Sequence, residues 1–317
     1  METFFIMLKN VLLFVALALP GYLLVRTGKL KAQGSGVISG VMMYVGLPFL
    51  ILSGTMKLKL EGALLQTLLI ASFFLILFIV LFFLLSSPLL KKVPAEKTRG
   101  MMRFCAVFPN NGFLGIPLAM AVFGADSTVL TILIVLNVLT NLMMYTLGAY
   151  LVSGDKKSMD LKQAILNPAM LAALVGVVLN LLNLPEHIPE LTTFATHLSN
   201  IVVPGSMIVL GMKMADVSLK DILASKSVYY VSFLKLILFP LLSLVLLLAL
   251  GFVPNLLLRD MILAFFFAFA VPTAGLASAF ADRFGGDAKS ATTLTLGSTF
   301  LSVVTLPVLY WVICLFL

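Results

Sequence analysis

Pro109-Asn110-Asn111-Gly112 interrupts residues 102–123, a stretch that otherwise reads as one apolar helix crossing a membrane. Ala270-Val271-Pro272-Thr273-Ala274-Gly275 interrupts residues 261–281 in the same way. Proline removes a backbone donor and clashes with the preceding turn, while asparagine and glycine tolerate the unwound backbone that results. Both segments therefore read as broken helices, with Pro109, Pro117 and Pro272 marking the breaks. Two broken helices in corresponding halves of a chain point to a transporter's binding site.

Composition places the whole chain in a bilayer. Hydrophobic residues make up 61% and charged residues 11% of 317, whereas a soluble domain carries about a quarter charged residues. A spanning helix needs roughly 20 apolar residues, and ten such runs follow one another: 4–25, 35–53, 62–84, 102–123, 128–152, 164–182, 192–212, 227–252, 261–281 and 290–316. The first run has the apolar core of a secretory signal, but no basic segment precedes it and nine further runs follow. Connections are short, so no soluble domain is expected. The net charge of +8 reflects basic loops rather than a nucleic-acid surface. Cys105 and Cys314 read as free buried thiols.

Loop charge sets an orientation. With the N-terminus outside, the cytosolic connections hold 16 of the 21 Lys and Arg residues, Lys213 among them. Only Lys57, Lys59 and Arg259 fall on the opposite face, and Lys9 and Lys235 lie inside spans. This is the asymmetry of the positive-inside rule, and it puts both termini on the extracytoplasmic side of a cell (inner) membrane.

An internal repeat supplies the architecture. Gly46-Leu47-Pro48 reaches Lys57 nine residues on, and Val203-Pro204-Gly205 reaches Lys213 at the same interval from Pro204. Phe123-Gly124-Ala125-Asp126 closes the fourth span, and Phe284-Gly285-Gly286-Asp287 follows the ninth at an offset of 161. At that offset Asn137 and Asn141 map onto Ser298 and Ser302. Five spans repeated once, residues 1–152 and 164–317, insert in opposite orientations. The expectation is an all-α integral membrane protein of ten transmembrane helices in two inverted five-helix repeats, with broken helices 4 and 9 crossing near the midplane.

Asn111-Gly112-Phe113-Leu114-Gly115-Ile116-Pro117-Leu118, Pro272 with Ala274, the trailing Phe284-Gly285-Gly286-Asp287, and Ser298-Thr299 followed by Leu306-Pro307 resemble the auxin efflux carrier family in its short bacterial, malate permease-like form. The likeness runs through nearly the whole chain. It implies the ten-helix inverted-repeat fold, a distant relation to bile acid sodium symporters, and a division into a scaffold (spans 1, 2, 6 and 7) and a mobile transport domain (spans 3–5 and 8–10). Plant members carry a long cytosolic loop between spans five and six, whereas here that connection is only residues 153–163.

Candidate site residues follow from the breaks. Asn110, Asn111, Gly112, Pro272 and Thr273 sit at them. Asn137 and Asn141, four apart on one helix face, either pack or line the site, as do Ser298 and Thr299 in the tenth span. A helix that restarts after a break offers unpartnered N–H groups and about half a positive charge, suited to a carboxylate. All thirteen carboxylates, including Glu61, Asp126, Asp216, Asp260 and Asp282, fall at or near span ends, which disfavours proton relay through a buried acid. Lys235, about 12 Å into its helix at 1.5 Å per residue, either snorkels or supplies charge to an anion pathway. Gly36-Val37-Ile38-Ser39-Gly40 is a GxxxG that packs helices or a homodimer. No metal site, cofactor or catalytic constellation is expected. The sequence reads as a secondary transporter or facilitator of small organic anions, mono- or dicarboxylates such as malate or auxin-like carboxylates, rather than an enzyme, working by elevator-type alternating access. A sodium-coupled symporter and a non-transporting receptor are the rivals.

Overall fold

The computed structural model describes residues 2–58, 62–251 and 256–317; Lys59, Glu61 and the expected end of the eighth span at Phe252 lie outside the described residues. In chain order the helices are α1 (Glu2–Arg26), α2 (Ala32–Thr55), α3 (Gly62–Leu89), α4 (Glu96–Val107), α5 (Asn111–Phe123), α6 (Thr128–Ser153), α7 (Lys156–Leu181), α8 (Pro189–Asp216), α9 (Lys226–Leu248), α10 (Leu258–Phe269), α11 (Ala277–Phe284) and α12 (Ala288–Cys314). Eight of them are long and apolar enough to cross a membrane. The expected fourth and ninth spans are each in two pieces, α4 with α5 and α10 with α11, split where Pro, Asn and Gly stand. Helix α4 begins at Glu96 rather than at residue 102, because the charged turn Glu96-Lys97-Thr98-Arg99 is itself helical.

Proline also leaves a mark where it does not break a helix. Wide π-type turns occupy Met42–Gly46, Asn111–Gly115 and Leu234–Leu238. Each is followed two residues later by a proline, namely Pro48, Pro117 and Pro240. The pyrrolidine ring would collide with the carbonyl one turn back, and an extra residue in that turn makes room for it. A fourth such turn, Met144–Gly148, has no proline after it.

Helix packing centres on two groups that meet where α1 lies against α12. Helix α1 lies along α8, and α2 packs on α7 and α8. The α1–α8 contact needs glycine: a Cβ at Gly211 would stand 1.9 Å from the Ala18 carbonyl, and one at Gly21 2.1 Å from that of Ile208. Without a hydrophobic drive between helices in lipid, such close backbone approach is what dispersion requires. In the second group α6 packs on α3 and α10, and α12 on α9 and α11. Its centre is aromatic, with Phe82 stacked on Phe239 at 4.3 Å and Phe78 meeting Phe265 edge-on at 5.5 Å. Leu69, Phe73 and Leu84 of α3 and Leu174, Val178 and Leu181 of α7 point outward, as a lipid-facing surface does. The GxxxG does not pack within the chain: a Cβ at Gly36 or Gly40 would meet nothing within 4 Å.

Candidate functional site

The two breaks meet. Pro109 and Thr273 face each other as an antiparallel β-bridge. The Asn110 N–H donates to the Pro272 carbonyl over 2.8 Å, and the Ala274 N–H to the Phe108 carbonyl over 3.0 Å. Unwound backbone inside a membrane must find partners, and here each break satisfies the other. Thr273 adds two bonds: its Oγ1 donates to the Cys105 carbonyl over 2.9 Å, and its N–H to Ser298 Oγ over 3.2 Å. Gly115 lets α5 lie against α10, since a Cβ there would stand 2.5 Å from the Phe267 carbonyl.

Around this joint the structure sorts the sequence-predicted residues. Asn110, Asn111, Gly112, Asn137 and Asn141, with Pro109, line one small cavity beside the restart of α5. Asn111 Nδ2 donates to Thr140 Oγ1 over 3.2 Å. Asn141 Nδ2 donates to the Asn137 carbonyl over 2.8 Å and to Asn137 Oδ1 over 3.2 Å. Asn137 Nδ2 has no partner, although the residue is only 1% exposed. Gly112 is held under this amide, because a Cβ there would lie 3.2 Å from Asn137 Oδ1. A buried donor without an acceptor costs roughly 1–3 kcal/mol, so an unsatisfied amide on a residue that lines this cavity, beside the start of a helix whose first N–H groups lack intrahelical partners, suits an acceptor-rich ligand.

Thr299 lines a second cavity, which Asn110 also lines, together with Lys213, Ser278 and Thr295. Pro272, Thr273 and Ser298 are buried in the joint and line neither cavity. Pro117 sits in the first turn of the α-helical part of α5. Lys235 neither snorkels nor reaches the crossover cavities. It is 1% exposed, its Nζ donates to the Phe269 carbonyl over 3.0 Å and stands 5.8 Å from the Phe269 ring centre. That carbonyl closes α10 at the break, so the ammonium satisfies an end-of-helix acceptor at the negative end of the dipole.

Lys213, Thr295 and Ser278 were not singled out from the sequence. Lys213 was counted among the loop cations, yet it lies in the last turn of α8 with its Nζ 3.3 Å from Ser278 Oγ. Its one sequence signal was the matched interval after Pro204. No Asp or Glu lines either crossover cavity among the described residues.

Residues 5–310 match the family described as membrane transport protein. The chain is also 29% identical over 239 residues to an uncharacterized transporter of Methanothermobacter thermautotrophicus, covering 74% of this chain and 76% of that protein. A match over nearly the whole length, on a polytopic helical fold whose two broken segments join inside it, shows that the chain belongs to this membrane transport protein family, the auxin efflux carrier-like transporters.

Proposed function

We propose that the protein is a secondary transporter of small organic anions, carboxylates in particular, and that they bind where the broken segments cross. The observation that carries this reading is the unpartnered Asn137 amide beside the restart of α5. It offers a neutral donor next to a positive helix end, which attracts a carboxylate without the permanent charge that would hold it. On this reading α4 with α5 and α10 with α11 are the fourth and ninth of ten spans, related by an inverted repeat. The joint is centred on Pro109 and Thr273, an offset of 164, while the FGxD motifs keep 161. The second arm is three residues shorter between joint and motif, and its restarted helix α11 has 8 residues.

Alternating access draws support from the packing. On this reading α1, α2, α7 and α8, which pack on one another, are the scaffold, the remaining helices around the crossover are the moving part, and α1 meets that part along α12. The loop charges orient both termini outward. Counterflow of labelled succinate in proteoliposomes tests the reading: exchange that saturates supports it, and no carboxylate flux from folded protein contradicts it.

A further inference from the structure

Lys57 and Lys213 stand at matched positions, nine residues after Pro48 and Pro204, but they end differently. Lys57 pairs with Asp126 at 3.1 Å, where both side chains are exposed. Lys213 has no carboxylate within ion-pair distance among the described residues. Asp282, four residues beyond Ser278 on α11, acts on it only from farther off. The ammonium has three donors, and one of them points to Ser278 Oγ over 3.3 Å.

The cavity it faces also contains a second unsatisfied group. Thr295 is 8% exposed, lines the same space, and its Oγ1 has no partner. Asn110 also lines that cavity, and its amide lies 3.4 Å from where a Cβ of Gly275 would be. Gly275 and Ser278 are three residues apart, so Asn110 and Lys213 both lie against the short stretch of chain that enters α11. A cationic donor and an orphaned hydroxyl in a wall otherwise free of carboxylates select for a second negative group.

We infer that Lys213, with Ser278 and Thr295, forms a specificity subsite for the second carboxylate of a dianionic substrate whose first carboxylate sits at the crossover, where Asn110 lines both this cavity and that of Asn137. This rests on the carboxylate-transporter reading and adds to it the residue that separates dianions from monoanions. A positive charge within the membrane is costly to keep unpaired, and a dianion completes its coordination while one carboxylate alone leaves it unmet.

The test compares succinate with succinamate, of the same length but with one carboxylate replaced by a neutral amide. Dissociation constants come from thermal stabilisation of the purified protein. Wild type should prefer succinate by roughly tenfold or more, the value of a hydrogen bond to a charged group. Lys213→Gln should bind the two about equally, and Lys213→Arg should keep the preference. The preference is a ratio within one preparation, so partial loss of folded protein cancels. If Lys213→Gln does not fold, Ser278→Asp puts a carboxylate against the lysine and should abolish the preference. A preference unchanged in these variants, or absent in wild type, overturns the subsite and leaves crossover binding standing. Failure of wild type to bind either compound instead sinks the carboxylate reading beneath it.

Discussion

Asn110 donates its backbone N–H to the carbonyl of Pro272, so the break in one half of the chain is held open by the break in the other. From the sequence alone, Pro272→Ala should let the ninth span close its hydrogen-bond ladder. The structure argues otherwise, because the N–H groups of Thr273 and Ala274 are already committed to Ser298 Oγ and to the Phe108 carbonyl. Pro272→Ala is predicted to keep the break and the substrate affinity. It should lower thermal stability by about 1 kcal/mol, since the new N–H is buried without an acceptor. A rise in stability together with lost binding would show that proline alone maintains the break.

Asp287 caps α12, accepting from the Ser290 N–H over 3.0 Å and from Thr98 Oγ1 over 2.7 Å. Partial burial pushes its carboxyl up, but the hydrogen bonds from Ser290 and Thr98 outweigh this and hold it below the usual carboxylate range. A carboxyl depressed in the folded state stabilises above its unfolded pKa, and that contribution is lost as pH falls through the folded value. Asp287→Ala should cost about 1 kcal/mol at neutral pH, the value of a helix N-cap. Thermal melts from neutral to acid pH should show this gap narrowing; a gap that widens toward acid would contradict the assignment.

The Lys57–Asp126 pair is solvent-exposed on both sides, and pairs of that kind contribute about 0–1 kcal/mol. Asp126→Asn should therefore leave melting temperature and carboxylate flux close to wild type. Complete loss of flux with intact protein would reveal a coupling role for Asp126.

Lys157 lies exposed in the first turn of α7, just after the connection from α6, which the loop charges assign to the cytosol. In a variant whose native cysteines are replaced by serine, Lys157→Cys should resist an impermeant thiol reagent in intact cells and react after permeabilisation. Labelling of intact cells would reverse the orientation.

The sequence was most legible where local chemistry alone forces the backbone. Pro109, Gly112 and Pro272 marked the breaks because no ordinary helix accommodates them. Gly124 and Gly285, read as a repeated FGxD, adopt positive φ of 86° and 74° at the ends of α5 and α11. What depends on the direction of a side chain was not legible. Lys213 reads as one more loop cation until α8 is packed beside α11, and Lys235 reads as snorkelling or lining a pathway until the Phe269 carbonyl is found against it. Asn111 reads from the sequence as a candidate donor at the break, but its amide donates to Thr140, and the unpartnered amide belongs to Asn137. A sequence repeat fixes which residues correspond, not which of two neighbouring amides is satisfied.

Asn137 is therefore where the central claim is tested. Replacing it with leucine, of similar volume, removes the orphaned Nδ2, while Asn141 keeps its bond to the residue 137 carbonyl. Binding of succinate to purified Asn137→Leu should weaken by roughly 1.5–3 kcal/mol, the worth of a hydrogen bond to a charged group, with melting temperature unchanged or higher because an unsatisfied polar group has gone. Wild-type affinity in a folded Asn137→Leu protein, or a large loss of stability with affinity intact, would return the amide to packing and contradict a carboxylate site at the crossover.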